Sequence, residues 1–323
     1  MKKNLVCLSV LAGLMSFPTL AELSEESGFG GKIALLTGVM SSESNFNMDT
    51  KTKYGTLDSA GSSESEFLTA PLGKLTYTFG SNNDQQIFFG TSESDVAVGN
   101  FALELGYAKE FESGMVVSAS YLPSIIGGET WEDPYLTGTE RKATDITGNA
   151  YRLQLDGIMG SDFSADLGYY TSEVDNDLIA AQDKDLARDG NGIYTSFSYD
   201  HFLSETSMLS PAIIYKSFSA DGKAMSNTGY GLELSYQRVM GNHALSVSAE
   251  YMNTSYDAAN SKLGNVKRKD NSYGIFAAYE YKDVMGWENW NAVSLLGYDV
   301  QSSNIAFYDE KEYLVSAGIS YEF

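Results

Sequence analysis

The stretch Glu312–Phe323 alternates apolar residues with small or polar ones without a break. Tyr313, Val315, Ala317, Ile319, Tyr321 and Phe323 share one parity, while Glu312, Ser316, Gly318, Ser320 and Glu322 share the other. In a strand successive side chains point to opposite faces, so the first set forms one continuous apolar face. A soluble edge strand has little use for a face ending in two aromatics. A barrel in a bilayer requires this arrangement, apolar outside and polar inside, with aromatics at the interface.

The same period of two recurs along the chain. It predicts strands over about 29–39, 67–79, 85–93, 100–111, 115–121, 149–159, 163–169, 191–202, 208–218, 230–237, 245–251, 273–281, 291–301 and 312–323. Most have an obvious lipid face: Leu153 and Leu155, Leu232 and Leu234, Val247, and Ile275. The strand at 291–301 is apolar on both faces, and its parity is not assignable. Connections alternate long and short. Ser81–Asp84, Glu112–Gly114 and Gly241–Asn242 are tight turns, whereas 40–66, 125–148 and 173–190 are long and polar. About fourteen strands, an even number with short turns on one side and long loops on the other, predict an all-β fold: a transmembrane antiparallel up-and-down barrel. The brief Ser94–Asp95 connection leaves the count uncertain by one hairpin.

Lys2 and Lys3 followed by the apolar run Leu5–Phe17 and by Pro18-Thr19-Leu20-Ala21 predict a secretory signal peptide over 1–21. The rest, 22–323, is expected to form a single barrel domain, with too few residues before the first strand for a plug. The only cysteine, Cys7, lies in the predicted signal, so no disulfide, thiolate metal site or cysteine nucleophile is expected in the mature chain. The formal net charge of −22 argues against nucleic acid as a partner. With 22 tyrosines and 16 phenylalanines the chain is nonetheless built to order, so the acids must sit where water is.

Parity places Lys32, Lys74, Glu104, Arg152, Asp156, Asp166, Asp200, Glu233, Glu250 and Glu280 on the inner face as candidate pore-lining residues. Acids outnumber bases, which predicts a cation-preferring lumen. Ser118, Ser120, Ser164, Ser196, Ser198, Ser246 and Ser248 share that face and favour water inside. The long connection at 125–148 carries Glu129, Trp131, Glu132, Asp133 and Tyr135, a possible constriction loop that either folds into the lumen or stays on the surface. His201 and His243, the only histidines, fall at the short-turn rim, and no catalytic constellation is assigned to them. The acidic loop from Asp175 to Asn191 lacks the spacing of a calcium-binding loop, so neither metal nor cofactor is expected.

The opening Ser27-Gly28-Phe29-Gly30-Gly31-Lys32, the strand rhythm and the ending Tyr321-x-Phe323 resemble a family of uncharacterised, porin-like outer-membrane barrels of marine gamma-proteobacteria. The resemblance implies a bacterial outer-membrane location, with lipid and lipopolysaccharide as surroundings. Tyr321 and Phe323 resemble the signal by which the barrel assembly machinery recognises its clients. By analogy with porins the expected role is passive diffusion of small hydrophilic solutes. The alternative is a non-transport surface barrel acting through its loops in adhesion, support or partner binding. The solute, the oligomeric state and whether loops plug the pore are not legible.

Overall fold

The computed structural model describes residues 23, 26–91, 103–123 and 128–323. The predicted signal peptide and the connection at Ser94–Asp95 lie outside the described residues.

The strands are β1 (Gly28–Ser44), β2 (Ser62–Phe79), β3 (Gln85–Thr91), β4 (Leu103–Glu110), β5 (Val116–Pro123), β6 (Gly128–Trp131), β7 (Ala143–Thr147), β8 (Asn149–Asp156) and β9 (Phe163–Val174). They continue with β10 (Gly190–Tyr199), β11 (His201–Ser204), β12 (Ser207–Ala220), β13 (Asn227–Met240), β14 (His243–Asn260), β15 (Val266–Tyr281), β16 (Trp290–Ser303) and β17 (Glu310–Glu322). Each wall strand pairs antiparallel with its neighbours, and β17 returns to β1 in register from Lys32↔Glu322 to Glu43↔Lys311. Reciprocal backbone bonds of 2.9 Å between Gly31 and Phe323 extend that seam. The result is a closed fourteen-stranded barrel. Strand β11 prolongs β10 beyond Asp200, and β6 with β7 forms a hairpin within the third long loop.

The apolar parity faces outward throughout. Ile213, Leu232 and Ile275 are about 60% exposed, and Leu153, Leu234 and Ile319 share that outer surface. Aromatic pairs, among them Trp290 with Tyr321 and Tyr298 with Tyr313, sit on it as interfacial residues do. For β16 the even residues Trp290, Leu296 and Tyr298 face lipid, and Val293 and Leu295 are buried inside. Two apolar faces are why parity could not orient this strand.

Four strands run well beyond the sequence expectation. β1 and β2 pair up to Ser44↔Ser62, and β14 and β15 up to Asn260↔Val266. About 9–11 tilted residues suffice to cross the hydrocarbon, so these ends stand above it. Both of their faces meet polar surroundings, and the period of two disappears although the ladder continues.

Candidate functional site

Backbone register turns the inner parity into rows of side chains. Glu322, Lys32, Lys74, Gly90 and Glu104 lie in one row. Gly90 places no side chain between Lys74 and Glu104, which approach to 4.0 Å across it. A Cβ there would meet the Gly73 carbonyl oxygen at 2.0 Å. Lys32 reaches sideways to Glu280 at 2.7 Å, with both side chains almost fully buried. Arg152 binds Asp166 through Nε and Nη2, at 2.6 Å for the shorter contact. Asp200 accepts a 2.6 Å bond from the Ser210 hydroxyl. Lys32, Lys74, Glu104, Arg152, Asp166 and Glu280 are thus engaged in ion pairs on the inner wall.

A second row is composed differently. Glu233 is opposite Glu250, Glu250 opposite Gly274, Gly274 opposite Asp299, and Asp299 opposite Glu312. Directly opposed residues have Cβ atoms about 4.5–5.5 Å apart, where like charges destabilise a sheet. Each of the four carboxylates keeps partial exposure. Lys216, half-buried, shares the inner parity on the neighbouring β12. Asp156, the remaining sequence candidate, is also half-buried on the inner face. Asp299 and Lys216 were missed from sequence, the first because β16 could not be oriented.

One residue pair nearer the short turns, the same strands carry Ser248, Phe276, Gly297, Leu314 and Met40 in a row. Phe276, Leu314 and Met40 join Leu36, Ala278, Val293 and Leu295 in an apolar cluster, with Leu68 and Leu72 against it. Over β1, β2 and β15–β17 the inner wall is therefore layered, with an apolar band between the Lys32–Glu280 pair and the Asp299–Glu312 pair of the carboxylate row. The serine pattern did not disclose the apolar band.

The long-loop end is roofed. The 128–147 hairpin is rooted between the fifth and sixth strands of the wall, yet the Tyr135 hydroxyl lies 2.7 Å from that of Tyr308, and Asn260 Nδ2 donates to both at 2.9 Å. Tyr308, in the β16–β17 connection, and Asn260, at the tip of β14, stand on the opposite side of the ring, so the hairpin spans the mouth. Ile179, Leu186, Leu263, Ile305 and Phe307 complete its apolar core. Trp131, 1% exposed, donates through Nε1 to the Asn45 carbonyl at 3.2 Å. The Arg141 guanidinium lies 4.4 Å from the Trp131 ring and donates to the carbonyls of Asn45 and Pro134. Burial pulls Arg141 down to about 10, and it raises the Tyr135 and Tyr308 phenols above their usual range.

The candidate constriction residues all fall in this roof. Glu129 is paired with Asp145 within the hairpin, and the Glu132 carbonyl accepts from Leu178 N at 3.0 Å. Asp133 accepts from Tyr135 N at 2.9 Å and from Gln182. Asn45, Arg141, Asn260 and Tyr308, which hold the roof, carry no periodic signal and were not found from sequence. The acidic loop contributes a helix, α1 (Leu178–Gln182), capped by Asp177, and an Arg188–Asp177 ion pair at 2.8 Å. His201 and His243 lie exposed at the short-turn end, where His243 Nδ1 is 2.6 Å from the Tyr279 hydroxyl.

The family model described as "Protein of unknown function (DUF2860)" matches residues 28–322. The chain belongs to that family. Among curated proteins none matches the sequence. Among solved structures the chain is similar to the outer-membrane channel DcaP of Acinetobacter baumannii, with 10% identity, 97% of this chain and 100% of that chain covered, and a TM-score of 0.45. It is similar to OmpT of Vibrio cholerae at 8% identity, with 94% and 100% covered and a TM-score of 0.44. It is also similar to an anion-selective porin from Comamonas acidovorans at 14% identity, with 92% and 100% covered and a TM-score of 0.41.

Proposed function

We propose that this barrel is a channel for small hydrophilic solutes with a preference for cations, working in the outer membrane of a marine gamma-proteobacterium of the kind the sequence resembles. The carrying observation is the row Glu233, Glu250, Asp299 and Glu312 on the inner wall. A dry, packed interior would penalise adjacent carboxylates by several kcal/mol each. Their partial exposure fits a lumen that holds water. Low-dielectric walls focus the field of such a row and raise the local concentration of cations. The Lys32–Glu280, Lys74–Glu104 and Arg152–Asp166 pairs nearly cancel, which leaves the row as the source of selectivity. The apolar outer face contacts lipid and lipopolysaccharide, and Tyr321 and Phe323 engage the assembly machinery.

A second reading is favoured by the roof, whose own apolar core suits a surface barrel that acts through its loops. Conductance of purified protein in planar bilayers separates the two. Stable unitary steps support the channel, and a folded barrel that never conducts supports the surface role.

A further inference from the structure

The carboxylate row is interrupted once, in the order Glu233, Glu250, Gly274, Asp299, Glu312. Gly274 divides the four acids into two facing pairs, Glu233 with Glu250 and Asp299 with Glu312. Three interstrand steps separate the centres of these pairs, about 14 Å along the wall. Inward side chains of a closed barrel converge towards its axis, so the charged groups stand closer together than their backbones. Among the described residues none of the four acids is in an ion pair with a lysine or arginine. The wall satisfies them only in part: the Ser235 hydroxyl donates to Glu233 Oε1 at 3.2 Å, and Glu312 Oε2 is buried with no hydrogen-bond partner. Ser248 lies directly across from Ser235 and next to Glu250 on the inner face of β14. It is 1% exposed, and its hydroxyl has no hydrogen-bond partner among the described residues. Beside the first pair there is therefore a hydroxyl oxygen able to accept from a further donor. An ammonium group, with three N–H donors and no acceptor, matches two carboxylates and this hydroxyl. A single inorganic ion can neutralise one pair but cannot join the two across the glycine. The surface between them suits hydrocarbon, since the inner neighbours of the gap include Phe276 on β15 and Met252 on β14, both buried.

We propose that the row is a two-point site for linear polyamines passing through the lumen. One terminal ammonium is held by Glu233, Glu250 and Ser248 and the other by Asp299 and Glu312, with the methylene chain laid over Gly274. The proposal rests on the channel reading and names a class of solute for it. Its test titrates the purified, folded barrel by calorimetry at constant ionic strength with two diamines of equal charge, diaminopropane and diaminooctane, each carrying its amines at the chain ends. Extended, the longer one places its nitrogens about 11 Å apart and the shorter one about 5 Å. Binding of the longer diamine is expected to be about tenfold tighter, because its second ammonium then binds intramolecularly. Spermidine, of the same length, should interrupt the current in planar bilayers. Glu233→Gln with Glu250→Gln, and separately Asp299→Asn with Glu312→Gln, should each abolish the length preference, and heat-modifiable gel mobility establishes that both variants fold. A conducting barrel without length preference overturns the polyamine site and leaves the cation channel standing. A preference that survives in either folded double variant overturns the site as well. A folded barrel that never conducts overturns the channel reading, and the passage of polyamines with it.

Discussion

A side chain on this wall meets either lipid or the interior, and its parity decides which. Leu234 and Glu233 are neighbours in β13 with opposite surroundings. Leu234→Arg is expected to cost about 2–4 kcal/mol if it lies near the bilayer midplane, whereas Glu233→Arg should fold normally. Equilibrium unfolding from liposomes checks the order, and the reverse order contradicts the facing. Lys32 and Glu280 make a second case, because breaking a buried pair leaves a charge without compensation. Lys32→Met should destabilise the barrel by about 3–5 kcal/mol, and adding Glu280→Leu should recover most of the loss in the same assay. Parity in the sequence was enough to place both groups on the inner face. It could not show that they meet, because β1 and β15 are separated along the chain and their approach depends on closure. Asp299 stayed hidden for a different reason, since Val293 and Leu295 make the inner face of β16 as apolar as the outer one.

Among the elements, the roof was the least legible. Loop residues have no period to read, and Tyr135, Asn260 and Tyr308 are 48 to 173 positions apart. Trp131 and Tyr135 stood out by composition, but their destination depends on partners in three other connections. The upper ends of β1, β2, β14 and β15 were missed because both faces there are polar. The hydroxyl knot should respond to alkali in a fixed direction. Burial raises Tyr135 and Tyr308, so the folded roof holds protons that the unfolded chain would release. Its stability is fully present below the ordinary tyrosine value near 10 and is lost as pH rises through the raised folded values. Tyrosinate absorbance should therefore show a late-titrating fraction that shrinks in Tyr135→Phe. Arg141→Ala should loosen the same roof at neutral pH, seen as faster proteolysis within 128–147. Unchanged cleavage would remove Arg141 from the latch.

For the whole molecule, closure and strand number were legible because membrane crossing imposes one alternation on every strand and one rhythm on the connections. Fourteen strands follow from that rhythm. The apolar band within the interior does not, since a wide barrel leaves its inner residues free of the packing rule that fixes its outer ones. Phe323 bonds to Gly31 through its backbone alone, so Phe323→Ala should leave the seam intact and lower the assembled fraction in cells. Normal assembly would remove its proposed role as a signal. The carboxylate row bears on the field of the entire lumen. Its effect should weaken as salt rises, with screening over about 8 Å at physiological ionic strength. The decisive measurement is the reversal potential of the reconstituted barrel in a salt gradient, compared with a variant combining Glu233→Gln, Glu250→Gln, Asp299→Asn and Glu312→Gln. A cation-selective potential that collapses towards zero in the variant is the predicted result. An anion-selective potential, or one that the four substitutions leave unchanged, would contradict it.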